Sequence, residues 1–595
     1  MGIVRGMDKA RKVKLYSERE LFSRYIEKLS PFKKSILLIA FFILATTIID
    51  IGLPPLFGYT IDELDLGNLT LELVMVIGII YLILSTFQWV IYSLHRREIG
   101  RFIPYFLENI RLEVFKKIQE QDMGFHDKHL SGSLNSRVTN DALDFGNMSI
   151  LVANTMGNLL ISSLIFGILL FMNPMLALLT LLATPILFIL MFSLRRLARL
   201  LSRSYRKSIA NINSAMVESI EGIQTCKSFG QESLVSEQFH ETNVEYFRSL
   251  IRYTGITHIW RSILETITAF VLVIVIFLGA QMIETGQESA GTIVIFILYI
   301  QQFFRPIMVL ATFLPEVSAG MAAYERILEI LDTEPEVHQN PNGKPFDGVK
   351  KDIVFENVDF KYREGEWVFK GFNLKIKKGE NLAIVGHTGS GKSSLIKLLA
   401  RFYDFQGGSI KIDDTDIRLF NLKSYREHIG LVHQDVFLFS GTLEENIRYG
   451  RRDASEEDLW NAIRTVQADE FIEYLPDGLQ TQIGERGKGL SMGQKQLISF
   501  ARAILTDPDI LILDEATGSV DAYTEAVIQE ALEILMKGRT NIVIAHRLST
   551  IQNADRIIVF KKGKIIEEGT HLDLLKQGGH YKTLYDTYYR HQEID

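Results

Sequence analysis

Cysteine is nearly absent from this sequence: its 595 residues contain one, Cys226, so an intramolecular disulfide is excluded. An excess of positive charge is also missing. Lys and Arg number 64 against 71 Asp and Glu, a net charge of −7 at pH 7, and no bulk basic field favours a nucleic-acid partner. The N-terminal stretch MGIVRGMDKARKVK is basic but has no adjacent apolar core, so we expect no cleavable signal peptide.

The two halves of the chain differ in hydrophobicity. The whole is 47% hydrophobic with a mean hydropathy of +0.12, which is high for a soluble protein. Before about residue 320 the apolar runs are long, and six of them approach the roughly 20 residues that span a bilayer as a helix. Six are more than the buried helices of a large soluble protein would explain. We predict an all-α transmembrane domain over residues 1–325, with spans at about 35–58, 71–92, 149–172, 175–194, 262–283 and 292–315.

The connections between these spans differ in Lys and Arg content. The N-terminal arm, residues 95–117 and the run RRLARLLSRSYRK are rich in both, whereas IDELDLGNL, NP and ETGQESAG contain neither. Because positively charged connections stay in the cytoplasm, both termini are predicted to face it. The connections 93–148 and 195–260 have few Gly or Pro and predict long helical extensions, which could contact a second domain.

Few polar side chains fall within the predicted spans. Asp50 lies late in the first span, and an intramembrane carboxylate is by default a functional candidate. It is also near the outer end, where solvent could satisfy it. Gln88, Glu265 and Gln301 are further candidates to line a substrate cavity.

After residue 350, Gly, Asp, Glu and Lys interrupt short β-branched runs. Strand-like NLAIVG, IGLVHQD, ILILDEA and NIVIAH alternate with helix-like stretches, and RIIVFKKGKIIEEG resembles a hairpin. This alternation predicts an α/β domain over residues 351–595 with a mainly parallel sheet. Residues 326–350 are predicted to be the linker.

The stretch GHTGSGKS fits the phosphate-loop pattern G-x-x-x-x-G-K-[ST] between a predicted strand and a predicted helix. Its glycines let backbone N–H groups approach phosphate, and the helix N-terminus adds positive potential. Lys392 can bridge the β- and γ-phosphates, and the Ser393 hydroxyl can ligate Mg²⁺. A Gly-rich turn without nucleotide is the weaker alternative. The predicted ATP-binding residues of this stretch are Gly386, Thr388, Gly389, Ser390, Gly391, Lys392, Ser393 and Ser394.

Other chemistry-bearing side chains follow the predicted strands. ILILDEA ends with Asp514, which can hold Mg²⁺ through water, and Glu515, which can orient and polarise the attacking water. Gln434 follows GLVH, where an amide can sense the metal and the water. His546 ends NIVIA, where an imidazole can reach a γ-phosphate, although a lone His is more often structural. Tyr362 closes VDFKY and offers a face for adenine stacking.

With these motifs in this order, the C-terminal half resembles an ATP-binding cassette, and the whole chain resembles an ABC exporter half-transporter. The resemblance identifies a P-loop fold with the A-loop at Tyr362, Walker A at 386–393, the Q-loop at Gln434, Walker B at 510–515, the D-loop at Asp521 and the switch histidine at His546. The signature is LSMGQ, with Ser491, Met492, Gly493 and Gln494, and GERG around Glu485 resembles the exporter X-loop.

Two stretches of the membrane half resemble intracellular loops of the same family. They are FHDKHLSGSLNSRVTND and VESIEGIQTCKSFGQE. The resemblance implies that Phe125, His126 and Glu218, together with Glu485, couple the cassette to the spans.

The signature implies a dimer. In the family, two cassettes associate head to tail, so that Ser491 and the backbone at Gly493 would contact the γ-phosphate held by the partner chain. Met492 replaces the first Gly of the consensus LSGGQ. In heterodimeric exporters the altered signature comes from the chain with an intact Walker B glutamate, and this chain has Met492 and Glu515. A heterodimer is therefore favoured, while a homodimer that tolerates Met492 stays open.

The resemblance implies ATP-driven export of amphipathic small molecules, drugs or lipids. The expected cofactors are ATP and Mg²⁺, with no further metal, and the expected partners are a second half-transporter and membrane lipid. An ATP-binding regulator or channel is one alternative, but a pure binder needs neither Glu515 nor His546. An importer is another, although most importers divide spans and cassette between chains. The fold and motifs are shared by exporters of drugs, lipids and peptides, so they define no single substrate.

Overall fold

The computed structural model describes residues 16–339, 342–362, 365–514, 522–545 and 547–589. The chain divides into two compact units. Unit 1 comprises Met1–Gln119 and Gly132–Thr333, and unit 2 comprises Glu120–Ser131 and Glu334–Asp595. The division after Thr333 falls within the stretch predicted as a linker. The inclusion of Glu120–Ser131 in unit 2 means that a short part of the first predicted cytoplasmic connection packs with the C-terminal half.

The first 333 residues are helical wherever the structure shows regular elements. The α-helices are α1 Glu18–Leu29, α2 Lys33–Asp65, α3 Leu71–Glu120, α4 Met123–Lys128, α5 Ser131–Ser136, α6 Ala142–Met172, α7 Pro174–Glu221, α8 Ile223–Phe229, α9 Glu232–Glu284 and α10 Ala290–Leu331. Each predicted span lies inside one of the six long helices α2, α3, α6, α7, α9 and α10. The predicted long helical extensions are present as continuations of α3, α7 and α9.

Four stretches of the described chain are long and apolar enough to cross a membrane: Glu18–Asp65, Leu71–Glu120, Ser131–Met172 and Glu265–Glu284. Two shorter apolar stretches, Pro174–Leu190 and Ala290–Pro306, lie within α7 and α10. Only 6% of the most apolar window of Leu71–Glu120 is buried inside the protein. Apolar side chains exposed on that scale fit lipid and not water.

Side-chain caps fix two tight turns between membrane helices. Asn173 is the N-cap of α7, and its side-chain oxygen accepts hydrogen bonds from the backbone N–H groups of Met175 and Leu176 at 3.1 and 3.2 Å. Ser289 is the N-cap of α10, and its hydroxyl accepts from the Thr292 N–H at 3.1 Å. Each cap satisfies N–H groups that the first helical turn leaves unpaired, so short polar connections suffice between long apolar helices.

The end of α10 differs from the predicted linker, which begins at residue 326. The helix continues to Leu331, and Ile327 and Leu328 are buried. One turn earlier, the buried ring of Tyr324 stacks on Phe145 with centroids 4.3 Å apart. The apolar helical spacing therefore runs past residue 325, because these side chains still pack against α6.

Unit 2 is an α/β domain with twelve described strands. They are β1 Asp352–Phe360, β2 Phe369–Lys377, β3 Asn381–Gly386, β4 Gly407–Ile412, β5 Thr415–Asp416, β6 Ile429–Val432, β7 Gly441–Thr442, β8 Gln482–Ile483, β9 Ile510–Asp514, β10 Thr540–Ile544, β11 Arg556–Lys561 and β12 Lys564–Gly569. Its helices after α4 are α11 Lys392–Leu399, α12 Leu422–Glu427, α13 Leu443–Ile447, α14 Glu456–Thr465, α15 Asp469–Glu473, α16 Met492–Leu505, α17 Ala522–Met536, α18 Leu548–Gln552, α19 His571–Gln577 and α20 His580–Leu584.

The central sheet of unit 2 has six strands in the order β12-β11-β3-β10-β9-β6. All neighbouring pairs are parallel except the β11–β12 hairpin, so the predicted mainly parallel sheet is confirmed. A second, antiparallel sheet has the order β2-β1-β4-β5. Because parallel strands end at the same edge, the carboxyl ends of β3, β10, β9 and β6 lie side by side. That edge carries the phosphate loop and Asp514, the last residue of β9.

Candidate nucleotide site

The phosphate loop is the turn between β3 and α11. At Gly386 a Cβ would collide with the backbone oxygen of Phe560, on the neighbouring strand β11. Gly391 caps α11 with φ = +110°, a conformation that favours glycine. Thr388 and Gly389 lie between them and are exposed. The turn therefore presents backbone and small side chains at the N-terminus of α11, as an anion site requires.

Lys392, the first residue of α11, is buried within this turn with 8% of its surface exposed. Its Nζ donates hydrogen bonds to the backbone oxygens of Gly386 and His387, at 2.6 and 3.1 Å. Burial lowers the pKa of the Lys392 ammonium group, and the negative charge of Asp514 acts against that shift. The loop thus holds a cation that is only partly compensated, and a polyphosphate would supply the missing negative charge.

Ser390 lies in the same turn and is also buried. Its Oγ has no hydrogen-bond partner among the described residues. A buried hydroxyl without a partner costs about 1–3 kcal/mol, so such groups are usually paired. A phosphate oxygen would satisfy the Ser390 hydroxyl, and the residues of the loop therefore fit a nucleotide.

The predicted magnesium ligands come from the phosphate loop and the two strands beyond β10. Ser393 is exposed in the first turn of α11, Asp514 is the last residue of β9, and Gln434 is exposed two residues after β6. Hydroxyl, carboxylate and amide oxygens are ligands that suit Mg²⁺. No group of three or more His, Cys, Asp or Glu that could hold a metal occurs in the described part of the chain.

Three predicted residues, Glu515, Asp521 and His546, lie outside the described residues. The strands before them are described. β9 ends at Asp514 and β10 at Ile544, and these two residues are partners in the parallel pairing of the sheet. Both strands therefore lead towards the edge that carries the phosphate loop.

Tyr362, the predicted adenine-stacking residue, is partly buried beside α11. Its hydroxyl is 3.0 Å from the Ser394 Oγ, so Ser394 contacts a protein side chain and is buried. The ring meets Tyr403 edge to face with centroids 5.1 Å apart, and Lys397 Nζ is 5.7 Å from both centroids. These contacts orient the Tyr362 ring. Tyr403 and Lys397 belong to none of the sequence motifs, so the sequence alone does not indicate either residue.

Tyr403 also binds the short helix α4. Its hydroxyl donates a hydrogen bond to the carboxylate of Asp127. Burial and this contact raise the pKa of the Tyr403 phenol, so it stays protonated as the donor at neutral pH. Tyr403 therefore contacts both α4 and Tyr362, the predicted adenine-stacking residue.

Further contacts hold α4 within unit 2. Asp122 caps the helix by accepting from the Phe125 N–H at 2.9 Å, and its second oxygen accepts from the N–H groups of Glu336 and Val337 at 2.5 and 3.2 Å. Phe125 is buried and His126 is partly buried. Phe125 and His126, which are predicted to couple this loop, thus belong to unit 2. Asp122, which belongs to none of the sequence motifs, holds α4 in place.

The signature forms the beginning of α16 and closes on itself. The Ser491 Oγ accepts from the Gln494 N–H at 3.2 Å, and the Gln494 side chain accepts from the Ser491 N–H at 2.9 Å, a capping box. Met492 is 46% exposed, so its side chain points away from the core. Gly493 is buried, and a Cβ there would collide with the Thr524 methyl of α17. Gly493 is therefore needed for packing, whatever it contacts in a partner.

The GERG turn lies against the signature helix. Glu485 is exposed, and Arg486 adopts φ = +55°. The Lys495 Nζ of α16 donates to the Arg486 backbone oxygen at 3.0 Å. The predicted coupling loop is thus attached to the helix that begins with the signature.

Glu218, the remaining coupling candidate, lies near the end of α7 in unit 1. It lines a groove with Cys226 and Phe229 of the following helix α8. Ile223 and Phe229 of α8 are 50% and 74% exposed. This second loop therefore presents an exposed apolar surface.

The membrane helices of unit 1 line an open cavity of about 850 Å³. Asp50 and Gln88 line it, and the Gln88 Nε2 donates to the Asp50 carboxylate at 2.5 Å. Glu265 and Gln301, the other two candidates for a substrate cavity, do not line this one. The described lining comes from α2, α3 and α6, with Arg305 from α10 and no residue from α9.

Comparison with known proteins agrees with both units. The ABC transporter transmembrane region family matches residues 36–307, and the ABC transporter family matches residues 369–518. YknV of Bacillus subtilis, an ABC transporter ATP-binding protein, is 38% identical, covering 95% of this chain and 94% of YknV. The ATP-dependent lipid A-core flippase of Desulfotalea psychrophila is 36% identical over 83% of this chain and 86% of the flippase.

A solved structure shows the same fold along almost the whole chain. The structure of a bacterial Atm1-family ABC exporter with ATP bound has a TM-score of 0.78 and 26% identity, covering 93% of this chain and 98% of that one. This chain thus joins a helical membrane domain to an α/β nucleotide-binding domain. This chain therefore belongs to the ABC exporters, as a half-transporter with one membrane domain fused to one ATP-binding cassette.

Proposed function

We propose that this protein is an ATP-driven exporter of amphipathic small molecules, drugs or lipids, working by alternating access as one half of a dimeric transporter. The observation that carries the proposal is the pair of half-sites on one cassette. A buried phosphate loop around Lys392 and an exposed signature at Ser491 and Met492 belong to the same chain. Neither half alone encloses a nucleotide, so two chains are needed to form a complete site.

ATP binding follows from the phosphate loop. Lys392 and the loop N–H groups would hold the β- and γ-phosphates, the Ser390 hydroxyl would donate to a phosphate oxygen, and the Tyr362 ring would stack on adenine. Ser393 and Asp514 would hold Mg²⁺, which when bound neutralises charge on the phosphates.

Hydrolysis would use the residues that follow the central strands. Glu515 would orient and polarise the attacking water, Gln434 would sense both metal and water, and His546 would contact the γ-phosphate. These groups position and polarise without forming a covalent intermediate, as phosphoryl transfer to water requires.

The second half of the site would come from a partner. The Ser491 oxygen already accepts from Gln494, but its O–H can still donate to a phosphate held by the other chain. Met492, exposed beside it, replaces the small residue of the family consensus. We infer a heterodimer whose other chain carries LSGGQ and a substituted Walker B glutamate.

Closure of two cassettes on ATP would drive the membrane helices through their loops. In this chain α4 is bound to the cassette by Asp122 and by the Tyr403–Asp127 hydrogen bond. ATP shifts the conformational equilibrium only as far as it binds the closed form more tightly.

The lipid A-core flippase and a fatty acid ABC transporter of Mycobacterium bovis, each 36% identical to this chain, support a lipid-like cargo. The Lys and Arg distribution supports cytoplasmic termini and cassette.

The test is Mg-ATP hydrolysis by the purified chain in lipid nanodiscs, with Glu515→Gln as the inactive variant and Glu457→Gln, exposed on α14, as the matched control. Turnover abolished only by Glu515→Gln would establish a working homodimer and overturn the heterodimer. ATP binding without turnover, restored by adding a second half-transporter with LSGGQ, is the expected result. Binding without turnover in every pairing would contradict an exporter and favour a regulator.

A further inference from the structure

The cavity of unit 1 is more charged than the apolar spans around it suggest. Four helices line it, and α3 contributes a face that runs from Ser85 to Gly100. At about 1.5 Å per residue, that face is roughly 22 Å long. A cavity of about 850 Å³ is large enough for a drug-sized molecule or a lipid head group with part of its chain.

One end of the cavity is cationic. Arg96 lines it, and its Nε and Nη2 both donate to the hydroxyl of Tyr92, at 2.9 and 2.7 Å. The guanidinium lies 5.0 Å from the Tyr92 ring centroid. Both hydrogen bonds of Arg96 therefore go to a neutral phenol and not to a carboxylate. The side chain is oriented, while its positive charge is left uncompensated by these contacts.

His95 adds an unused polar atom at the same end. It also lines the cavity, and its Nε2 is buried without a hydrogen-bond partner among the described residues. Buried ring nitrogens are usually paired. A ligand oxygen or hydroxyl placed beside Arg96 would supply such a partner.

The other end of the cavity is acidic but already paired. Asp50 accepts a hydrogen bond from Gln88, and Arg305 also lines the cavity. Gln88 precedes Arg96 by two helical turns, about 12 Å along α3. Trp89 lines the stretch between them. Asp50 therefore has a hydrogen-bond partner within the protein, whereas the hydrogen bonds of Arg96 go only to the Tyr92 hydroxyl.

We propose that this cavity binds amphiphiles with an anionic head group, a phosphate or a carboxylate, and that Arg96 is the residue that selects the head group. The negative charge would lie at the Arg96 and His95 end, and the apolar body would pack along Trp89 and the isoleucines of α2 and α6. A guanidinium pairs with both oxyanions through parallel hydrogen bonds. This inference deepens the proposed export function and rests on it for the meaning of the cavity.

The test compares probes with the same twelve-carbon tail and different heads. Dodecyl phosphate, dodecyltrimethylammonium and dodecyl maltoside would be titrated calorimetrically into the full chain in nanodiscs of zwitterionic lipid, without nucleotide, with empty nanodiscs subtracted. Dodecyl phosphate should bind at least about tenfold more tightly than the cationic probe, the expected scale for a charge-assisted hydrogen bond. Equal affinities for the anionic and cationic probes would overturn the proposal.

Variants of α3 locate the effect. Arg96→Gln should weaken dodecyl phosphate at least about tenfold and leave dodecyl maltoside unchanged, while Arg96→Lys should keep most of the affinity. Arg101→Gln, exposed on the same helix and outside the lining, is the matched control and should change affinity less than twofold. Equal losses from Arg96→Gln and Arg101→Gln would show a non-specific charge effect and refute the assignment.

Two further arms separate the alternatives. Inorganic phosphate should not displace dodecyl phosphate at equal concentration, since the tail contributes; complete displacement would overturn the amphiphile as ligand. Nucleotide binding by Arg96→Gln would verify that the variant is folded. Because the titration contains no ATP, its result does not depend on the hydrolysis assay. Selective binding of dodecyl phosphate by a chain that does not hydrolyse ATP would contradict only the exporter function. ATP hydrolysis without selective binding would contradict only this inference.

Discussion

The two half-sites of the cassette are built in opposite ways. The phosphate loop is buried and contains polar groups that are not fully paired. Lys392 is shielded from water and donates only to backbone oxygens. The Ser390 hydroxyl has no hydrogen-bond partner among the described residues. The signature is exposed and satisfied, because Ser491 and Gln494 hydrogen-bond to one another. The phosphate loop therefore offers polar groups that a nucleotide would pair, whereas the signature is a helix start whose capping hydrogen bonds are already formed.

Because of this difference, substitutions in the two halves should impair different properties of the protein. Changes in the phosphate loop remove groups that bind the nucleotide of the same chain. Changes in the signature leave that binding intact and act on hydrolysis or on the packing of α16. Measured separately, ATP binding should therefore fall in phosphate-loop variants, and hydrolysis or stability should fall in signature variants.

The largest effect is expected for Lys392→Met. The substitution removes a buried cation, and a charge-assisted hydrogen bond to phosphate is worth up to about 3 kcal/mol, or roughly 100-fold in affinity. ATP affinity, measured with a fluorescent nucleotide, should fall by about that factor. Lys423→Met on α12, whose side chain is 88% exposed, should leave it unchanged; an equal loss there would point to overall charge.

Gly493→Ala should affect the signature half through packing. The new methyl would collide with the Thr524 methyl of α17, and overpacking costs about 1–3 kcal/mol. We expect a lower melting temperature and reduced hydrolysis, with ATP affinity at the phosphate loop within twofold of the parent.

Thr524→Ser supplies the matched control for this prediction, since it keeps the hydroxyl and removes the methyl that collides. The double variant Gly493→Ala with Thr524→Ser should recover most of the lost melting temperature. Recovery of stability without recovery of hydrolysis would show that Gly493 also acts on the nucleotide of the partner. No recovery of either would contradict the packing explanation.

Tyr403→Phe tests the link from the adenine position to α4. The variant keeps the ring beside Tyr362 and loses the hydrogen bond to Asp127. A hydrogen bond to a charged group contributes about 1.5–3 kcal/mol, so amide exchange in Met123–Lys128 should accelerate about tenfold or more. ATP affinity should change little. Tyr362→Phe, which loses only the contact to Ser394, should leave α4 protected; equal acceleration in both variants would refute the link.

The sequence predicts the phosphate loop well because its residues are consecutive and the flanking strand and helix are strongly patterned. It does not predict Tyr403–Asp127, since the two residues are 276 positions apart and neither belongs to a periodic pattern. The sequence predicts Arg96 only as part of a cytoplasmic connection, because charge composition does not show that α3 carries it into a cavity with Asp50. Ile327 and Leu328 lie within the predicted linker although the apolar helical spacing of α10 continues through them.

Met492→Gly should have the smallest effect on the chain alone. Met492 is 46% exposed at the first position of α16, outside the core, and Gly in place of a helix former costs at most about 1 kcal/mol. ATP affinity at the phosphate loop should not change. In the reconstituted transporter, hydrolysis should rise about two- to fivefold if the Met side chain crowds the partner's γ-phosphate, since the loop would regain the small residue of the family consensus. Unchanged hydrolysis, with Met492→Ala as the size-matched intermediate also silent, would show that the side chain points away from the partner site. The signature would then be complete with methionine at position 492, and this residue would no longer support a heterodimer.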